Sequence, residues 1–394
     1  MFPGLSIYFF MVVLIFWAYC GSIWLLFLFY VLSPSRCQIS GAAETFPKMA
    51  VLVPCHNEDG LLAQKVQNMK ALRYPEDKLL VYFLDGRSTD GTPESLRGLV
   101  QGIPHWHVVD TDVSGKINQL NVGLALLPDD VEVVVNTDMD TLLEHDVLEK
   151  FAAELESDQR IMVLGANVSP NGCIAIERVY WEGQNTLRIL ESAVYASSIV
   201  VAPCYAFKRE LLDSFPDDCV ADDIHVAFKA NTLGYITRYV TEAKGKETRT
   251  PASLESFLNH KFRKGNAFLQ ELLRFLYMLP SMPTWWKVIY LTKIMQLAVI
   301  PWLLPYFILS TLSFLLSGGG LFKVAVFSCS LLAVCFVVSS LAVNRFKKVH
   351  FNGSRKAHRG ILVPFLFANL ILVLVGLSYP FYRQNSQYKR IAQP

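Results

Sequence analysis

The chain has 394 residues, 52% of them hydrophobic, and a formal net charge of +2. Its positive mean hydropathy is too high for an ordinary soluble enzyme, while 18% charged residues suffice for a folded aqueous domain. The balanced charge gives no reason to expect a nucleic acid among its partners.

The first apolar stretch runs from Leu5 to Leu32 and contains no Lys, Arg, Asp or Glu. It is long enough to cross a bilayer, which takes about 20 apolar residues. A secretory signal peptide is the alternative, but Met1 to Ser6 carries no basic residue and no clear small-residue cleavage site follows. We predict a retained transmembrane anchor within residues 1–35.

The segment from residue 45 to residue 250 alternates short apolar runs with helical stretches. Buried strands are predicted at 48–53, 79–84, 107–109 and 131–135, and helices at 60–73, from 93 onward and at 116–127. This alternation is typical of a doubly wound, Rossmann-like α/β domain with a mostly parallel sheet and helices on both faces. Ligands of such sheets bind where the strands end.

Asp138-Met139-Asp140 directly follows the fourth predicted strand. Two carboxylates at the mouth of a strand suit a hard divalent cation that also grips a phosphate, because magnesium takes one or two protein carboxylates and leaves its other positions to water and substrate. Taken alone, the tripeptide also fits a pair of solvated loop acids or a helix cap. The residues at the other predicted strand ends are needed to distinguish between these interpretations.

A basic amphipathic pattern from Leu254 to Met278 dominates the next segment, residues 251–287. Such a helix can lie in the membrane surface. It can equally pack its apolar face against the preceding domain, and both alternatives remain open. Either arrangement brings the strand ends close to a bilayer.

Three more apolar stretches follow within residues 288–382, at about 288–317, 321–343 and 361–381. The connection before the last stretch has no acid and holds Arg345, Lys347, Lys348, Arg355, Lys356 and Arg359. The positive-inside rule places this connection in the cytoplasm. If each of the four stretches crosses once, residues 33–287 are cytoplasmic as well. The same count puts the basic tail, residues 383–394, outside, so either the tail is a weak signal or one stretch is re-entrant.

The eight cysteines form no CxxC pair and show no Cys/His spacing typical of a metal site. A cytoplasmic domain is also kept reduced. We therefore expect neither disulfides nor a structural zinc ion.

The motifs that follow the predicted strands, taken in order, resemble those of the family 2 glycosyltransferases. They are Val53-Pro54-x-x-Asn57-Glu58, Asp85 with Ser88-Thr89-Asp90-Gly91-Thr92, Gly115-Lys116 with Leu120-Asn121, Asp138-x-Asp140, Asp222-Asp223 and Arg263. The resemblance covers about residues 49–266, and the flanking spans look like the membrane-integrated branch with hyaluronan, poly-N-acetylglucosamine and cellulose synthases. It implies a GT-A-type fold.

For the donor side, the resemblance implies a UDP-sugar and a divalent metal, Mg²⁺ or Mn²⁺. The implied donor-binding residues are Pro54, His56, Asn57, Glu58, Asp85, Lys116, Asp138 and Arg263. Asp140 and Asp138 are the implied metal ligands. His56 stands where relatives often have Tyr, and an imidazole can still stack on a base.

For the acceptor side, the resemblance implies that Asp223 is the general base and that Asp222 and Lys264 contact or orient the acceptor. Polymerising relatives carry Gln-x-x-Arg-Trp where this chain has His260-x-x-Arg263-Lys264. Lysine offers no broad apolar face to a sugar, so the segment favours transfer of one or a few sugars.

The loop after the second predicted strand also departs from the family. Gly86 and Arg87 replace the first two residues of the pattern Asp-Gly-Ser-Thr-Asp-Gly. A long cation beside a nucleotide pocket could reach a phosphate, but we favour a side chain that points into solvent.

We therefore expect an inverting glycosyltransferase that moves sugar to a lipid-linked or glycan acceptor at the cytoplasmic membrane face, in contact with membrane lipids. One alternative is a processive polysaccharide synthase that also exports its polymer, with its acceptor aromatic supplied by Trp181, Trp285 or Trp286. Another is a non-catalytic membrane scaffold that keeps the nucleotide-sugar fold. A transporter is disfavoured, because the chain has only about four predicted spans and few polar residues within them that could line a transport path.

Overall fold

A computed structural model of the chain describes residues 3–32, 41–350 and 362–383. Within these residues, eight strands form one sheet in the order β3-β2-β1-β4-β7-β6-β8-β5. The strands are β1 (Met49–Cys55), β2 (Leu79–Asp85), β3 (Trp106–Asp110), β4 (Val133–Thr137), β5 (Thr141–Leu143), β6 (Ile161–Pro170), β7 (Cys204–Lys208) and β8 (Ile236–Glu247).

The helices cover the sheet and continue beyond it at both ends of the chain. They are α1 (Pro3–Phe16), α2 (Ser22–Leu32), α3 (Leu62–Lys70), α4 (Thr92–Val100), α5 (Lys116–Ala125), α6 (Val147–Ser157), α7 (Ala175–Val194), α8 (Asp222–Thr232), α9 (Leu254–Arg274), α10 (Thr284–Ile294), α11 (Ile300–Ser317), α12 (Gly319–His350) and α13 (Leu362–Ser378). Short π-helical turns, Trp17–Gly21 and Met295–Val299, join α1 to α2 and α10 to α11.

The predicted α/β sheet is confirmed, with parallel pairing concentrated in its first half. Strands β3, β2, β1 and β4 are parallel neighbours. Strand β7 then runs antiparallel to both β4 and β6, and β5 runs antiparallel to β8. Because the ends of β1, β2 and β4 meet at one edge, the loops that follow them lie together.

Strand β1 shows why the sheet has helices on both faces. Its side chains alternate between two cores, with Met49, Val51 and Val53 in one and Ala50 and Leu52 in the other. All five are at most 1% exposed. An apolar run without polar alternation is typical of a parallel strand that is covered on both sides.

Three helical segments are long and apolar enough to cross a membrane: Gly4–Leu32, Thr284–Ser317 and Gly319–Phe346. The fourth predicted stretch is helical as α13, and its described apolar part, Phe367–Ser378, is shorter than a full span. Of the predicted cytoplasmic connection, residues 351–361 lie outside the described residues, as does the tail from residue 384 onward.

The amphipathic segment forms α9, which begins with a capping box between Ser253 and Ser256. Its apolar face joins a buried cluster with α8 and α10, in which Phe257 and Leu272 meet Phe228. Of the two alternatives for this segment, the structure therefore shows packing against the domain.

Candidate active site

The loops that follow β1 and β2 are joined by hydrogen bonds at the edge of the sheet. The amide of Asn57 donates to Ser88 Oγ at 2.7 Å, and the amide of Thr89 donates back to Asn57 Oδ1 at 2.6 Å. Asp85, only 2% exposed, accepts from the Ser88 amide at 2.9 Å. Pro54 and His56 flank this junction and are half-buried. The five predicted nucleoside contacts, Pro54, His56, Asn57, Glu58 and Asp85, thus lie on the adjoining ends of β1 and β2 and the loops that follow them.

Asp138 and Asp140 lie at the adjacent end of β4 and are both half-buried. The amide of Asp138 donates to the carbonyl oxygen of Pro203 at 3.1 Å, while the carbonyl of Asp140 accepts from the amide and the hydroxyl of Thr248, both at 2.8 Å. These main-chain bonds fix the turn between β4 and β5, and the two carboxyl groups project from it.

Lys116, the first residue of α5, connects the Asp138 carboxylate to the second acidic pair. Its Nζ lies 2.8 Å from Asp138 Oδ1 and 3.1 Å from Asp222 Oδ2. The Tyr205 hydroxyl, on β7, also donates to Asp222 Oδ2, at 2.7 Å. Asp138 at the end of β4 and Asp222 at the start of α8 therefore both contact the ammonium group of Lys116, and all three are predicted site residues.

Arg249, which the sequence analysis did not identify, connects Asp140 to Glu58 in the loop after β1. Its Nη2 lies 2.7 Å from both carboxylate oxygens of Glu58, and its Nε lies 3.2 Å from Asp140 Oδ2. An arginine after β8 matches none of the motifs used above, so only the fold reveals its place.

Lys65 is a second residue that sequence analysis missed. It is fully buried on α3, and its Nζ donates to Thr137 Oγ1 and to the main-chain oxygens of Asp138 and Thr141 at 3.0, 2.8 and 2.7 Å. In the sequence, nothing distinguishes Lys65 from other lysines in predicted helices.

Several carboxyl groups here have raised pKa values. Burial raises the pKa of Asp140 to about 6, and the neighbouring Asp138 carboxylate adds to the rise. Burial likewise raises the pKa of Glu247, at the end of β8, to about 8, although Lys264 opposes this. Asp138 and Asp140 offer an oxygen-only donor set at the end of β4, which fits a hard divalent cation.

Asp223 lies beside Asp222 at the start of α8 and is half-buried. Burial raises its pKa to about 6, and the charge of Asp222 contributes, while Lys264 and Lys116 oppose the rise. A carboxylate with a pKa near neutrality can accept a proton from a hydroxyl group more readily than an ordinary aspartate can.

The α9 segment places Lys264 beside Trp181 of α7, and Arg263 lines the cavity described below. The Lys264 ammonium and the Arg188 guanidinium lie 5.2 and 5.1 Å from the centroid of the Trp181 ring. The neighbouring Lys261 is paired with Glu177 at 2.8 Å. His260 is buried, which lowers its pKa well below the ordinary value.

The tryptophans proposed as alternative acceptor platforms differ in their accessibility. Trp286 was a wrong suggestion, because it is fully buried, packs on Phe228 and Tyr290, and donates to Thr232 Oγ1. Trp181 is 5% exposed and surrounded by cations. Trp285 lines the cavity described next.

A cavity of about 490 Å³ begins at the acidic pair and extends toward the membrane-length helices. Asp223 and Lys264 line it at the sheet, and Leu26, Gln296 and Asn369 line it among α2, α13 and the turn after α10. Its wall is charged at the sheet and, among the helices, combines apolar side chains such as Leu26 with amide groups. A polar group at one end and a hydrocarbon chain at the other would both find matching surfaces.

The departures at Gly86 and Arg87 have structural explanations. Arg87 is exposed, as expected, and has a φ of 62°, the left-handed conformation that suits the glycine of the family pattern. Gly86 is buried against Gln119 of α5, whose Nε2 would lie 2.7 Å from a Cβ at position 86. That Nε2 donates at 2.6 Å to the carbonyls of Cys55 and Leu84 and so joins the ends of β1 and β2.

A separate buried group behind α8 consists of Cys219, His225 and Glu271, whose ligand atoms lie within 4.8 Å of one another. Their spacing along the chain gave no hint of this. Glu271 pairs with His225 Nδ1 at 2.9 Å and with Arg274 Nε at 3.1 Å. Its charge is therefore already compensated without a metal ion.

Comparison with known families agrees with the motif order. The profile of Glycosyl transferase family 2 matches residues 50–215, and that of Glycosyl transferase family group 2 matches residues 133–343. Together the two matches include both acidic pairs, the Lys116 position and the α9 segment.

Two curated relatives are N-acetylglucosaminyltransferases. The one from Mesorhizobium japonicum is 25% identical over 354 residues, 82% of this chain and 80% of the relative. The one from Sinorhizobium fredii is 25% identical over 259 residues, 60% of this chain and 61% of the relative, so the chain spans about three fifths of that protein.

A solved mannosyltransferase from Pyrobaculum calidifontis, in complex with GDP-Man and Mn²⁺, superposes with a TM-score of 0.66. The superposition covers 94% of this chain and 98% of that one, at 23% identity. At this identity the likeness shows the fold, and the predicted α/β class is confirmed.

Proposed function

Because the chain belongs to glycosyl transferase family group 2, we propose that it moves a sugar from a UDP-sugar to a lipid-linked or glycan acceptor, with inversion at the anomeric carbon. The observation that carries this proposal is the contact of Lys116 with both Asp138 and Asp222. It joins the donor-side carboxylates to the mouth of the cavity, where an acceptor would enter.

On the donor side, Asp138 and Asp140 would hold a divalent cation, Mg²⁺ or Mn²⁺, which supplies Lewis-acid stabilisation of the departing nucleoside diphosphate. Lys116 and Arg263 add positive charge for the two phosphates. Asn57, Glu58 and Asp85, at the adjoining ends of β1 and β2, offer carboxylate and amide groups to the base and ribose. The likeness to a protein solved with GDP-Man and Mn²⁺ is consistent with this division.

On the acceptor side, Asp223 would take the proton from the attacking hydroxyl group. Its raised pKa suits a base that works near neutral pH. Asp222 is held by Tyr205 and Lys116, so it orients the site and keeps a negative charge beside the base. One base without a covalent nucleophile agrees with inversion.

The cavity supports an acceptor that arrives from a membrane. It reaches from Asp223 to side chains among the membrane-length helices, so a membrane lipid or a lipid-linked glycan could present its hydroxyl group without leaving the bilayer. The basic residues predicted to connect the last two apolar stretches favour a cytoplasmic catalytic domain at residues 45–250. Residues 251–287 would then lie at the interface and residues 288–382 in the bilayer.

The test is to purify the chain in nanodiscs and measure nucleotide release from a panel of UDP-sugars, with UDP-N-acetylglucosamine included and GDP-mannose as a contrast, in Mg²⁺ or Mn²⁺. We expect release that depends on added acceptor lipid and is lost in Asp140→Ala and Asp223→Asn. Asp129→Asn, an exposed acid before β4, is the matched control and should retain full activity.

Product size then separates single transfer from polymer synthesis. The lysine at position 264 and the shielded Trp181 ring predict products with one or a few added sugars. A ladder of long products would instead favour a processive synthase. If no nucleotide sugar binds at all, the chain is a scaffold that keeps the fold without the activity.

A further inference from the structure

The two carboxylates proposed as metal ligands each face a cation supplied by the protein itself. Lys116 Nζ lies 2.8 Å from Asp138 Oδ1, and Arg249 Nε lies 3.2 Å from Asp140 Oδ2. Each of the two carboxylates therefore has one oxygen in contact with a protein cation before any ligand arrives, and the same two cations also hold Asp222 and Glu58. A divalent cation that approaches the pair must compete with Lys116 and Arg249 for these oxygens and meets their two like charges.

Arg249 is fixed in this position from both ends. The preceding residue, Thr248, bonds the Asp140 carbonyl through its amide and its hydroxyl, both at 2.8 Å. At the other end, the guanidinium contacts both Glu58 oxygens at 2.7 Å. Its side chain is 15% exposed, and a guanidinium stays charged at every physiological pH. The cation therefore remains beside Asp140 unless another anion draws it away.

A nucleoside diphosphate is such an anion. Its phosphates can take over the contact that Arg249 makes with Asp140, because guanidinium groups bind phosphate oxygens in the same forked geometry as carboxylates. Glu58 belongs to the predicted nucleoside contacts and Asp140 to the metal side, so Arg249 touches both halves of the donor pocket.

We propose that Arg249 is a positioning residue that makes the Asp138/Asp140 pair a weak cation site until a nucleoside diphosphate binds, so that the metal and the donor bind together. This inference rests on the proposed function, since it assumes that the pocket takes a nucleotide-sugar. Linkage makes the coupling reciprocal: the metal raises the affinity for the nucleotide by the factor by which the nucleotide raises the affinity for the metal.

The experiment measures Mn²⁺ binding to the full chain in nanodiscs by electron paramagnetic resonance, with and without saturating UDP. For the wild type we expect Mn²⁺ to bind at least about 10-fold more tightly with UDP, within the range usual for coupled ligands. In Arg249→Met, Mn²⁺ alone should bind more tightly than to the wild type, and the effect of UDP should shrink several-fold.

Arg249→Lys and Arg160→Met complete the design. Lysine keeps the charge but has no guanidinium to contact Glu58 and Asp140 through separate nitrogens, so Mn²⁺ alone should still bind weakly while UDP binds less well. Arg160 is an exposed arginine paired with Asp158, and its replacement should leave both affinities unchanged. If Arg249→Met does not fold, the comparison of Arg249→Lys with the wild type still carries the test.

Two results would overturn the proposal: Mn²⁺ affinity in the wild type that UDP does not change, or unaltered Mn²⁺ affinity and coupling in Arg249→Met. Neither depends on turnover. A chain that couples Mn²⁺ to UDP but transfers no sugar would refute the proposed function and leave this inference intact, whereas sugar transfer without coupling would do the reverse.

Discussion

The ammonium group of Lys65 donates a 2.8 Å hydrogen bond to the main-chain carbonyl of Asp138. The lysine is fully buried, and burial lowers its pKa to about 8. With its bonds to Thr137 and Thr141, it holds the turn that presents the two carboxylates. The site thus depends on a residue that no ligand would touch.

Lys65→Met should therefore weaken both the fold and the donor site. It removes the lysine donor from the Thr141 carbonyl and the Thr137 hydroxyl group, while the Asp138 carbonyl keeps its bond from the Thr141 amide. At about 1–3 kcal/mol for each unsatisfied group we expect a loss of at least about 2 kcal/mol. Urea denaturation measures this loss, and UDP titration should show a weaker affinity. Lys70→Met, an exposed lysine on the same helix, is the control. Equal effects of the two changes would contradict the role given to Lys65.

The raised pKa of Asp223 predicts how transfer depends on pH. The base must be deprotonated, so kcat/KM should be level above pH 6 and fall about tenfold per pH unit below it. The profile is measured at saturating metal, so that protonation of Asp140 does not contribute. Asp223→Asn should remove transfer while UDP still binds. An acid limb near pH 4 would show that the base has an ordinary pKa.

Two substitutions beside Asp223 should move this limb in opposite directions. Asp222 raises the pKa of Asp223, so Asp222→Asn should move the limb to lower pH. Lys264 lowers the same pKa, so Lys264→Met should move it to higher pH. Lys229→Met, on α8, is the charge-matched control and should not shift the limb. Shifts in the same direction would mean that charge at these positions does not set the pKa.

Glu191 of α7 and Lys293 of α10 form a 2.9 Å ion pair that lines the cavity. Removal of one partner from a buried pair typically costs about 3–5 kcal/mol, because the other charge stays behind. We expect Glu191→Gln and Lys293→Met each to lower the thermal midpoint, and the double variant to lower it by less than the sum. Additive losses would show that the two side chains do not interact.

Arg87 should be replaceable with a gain in stability. A non-glycine residue in the left-handed region costs roughly 1 kcal/mol, so Arg87→Gly should stabilise the fold by about that amount. Arg87→Ala is the control, because it removes the side chain but keeps the Cβ. If both variants melt at the same temperature, backbone strain at this position is not the cause.

Much of the fold follows from local patterns in the sequence. The apolar runs predicted β1, β2, β3 and β4 to within about two residues, since a strand buried on both faces leaves a continuous apolar signature. The later strands had no such prediction. β7 and β8 pair across long separations and in mixed directions, and nothing local specifies those partners.

The candidate site divides in the same way. Asp138, Asp140, Lys116 and Asp222 stand in motifs beside strand or helix ends, so their order along the chain was enough to propose that they meet. Arg249, Lys65 and Tyr205 act through the tertiary fold, and their residue types are common on any surface. Trp286 failed for the converse reason: an aromatic residue near a site is more often part of the core.

Gly86 and Gln119 constrain each other, so a substitution at one position should be accompanied by a substitution at the other. A side chain at position 86 would displace the amide that joins the first two strand ends, and a smaller residue at position 119 would leave space that the glycine cannot fill. Libraries that alter the nucleotide loop should therefore vary both positions together. A change at one position alone would be incompatible with the residue kept at the other.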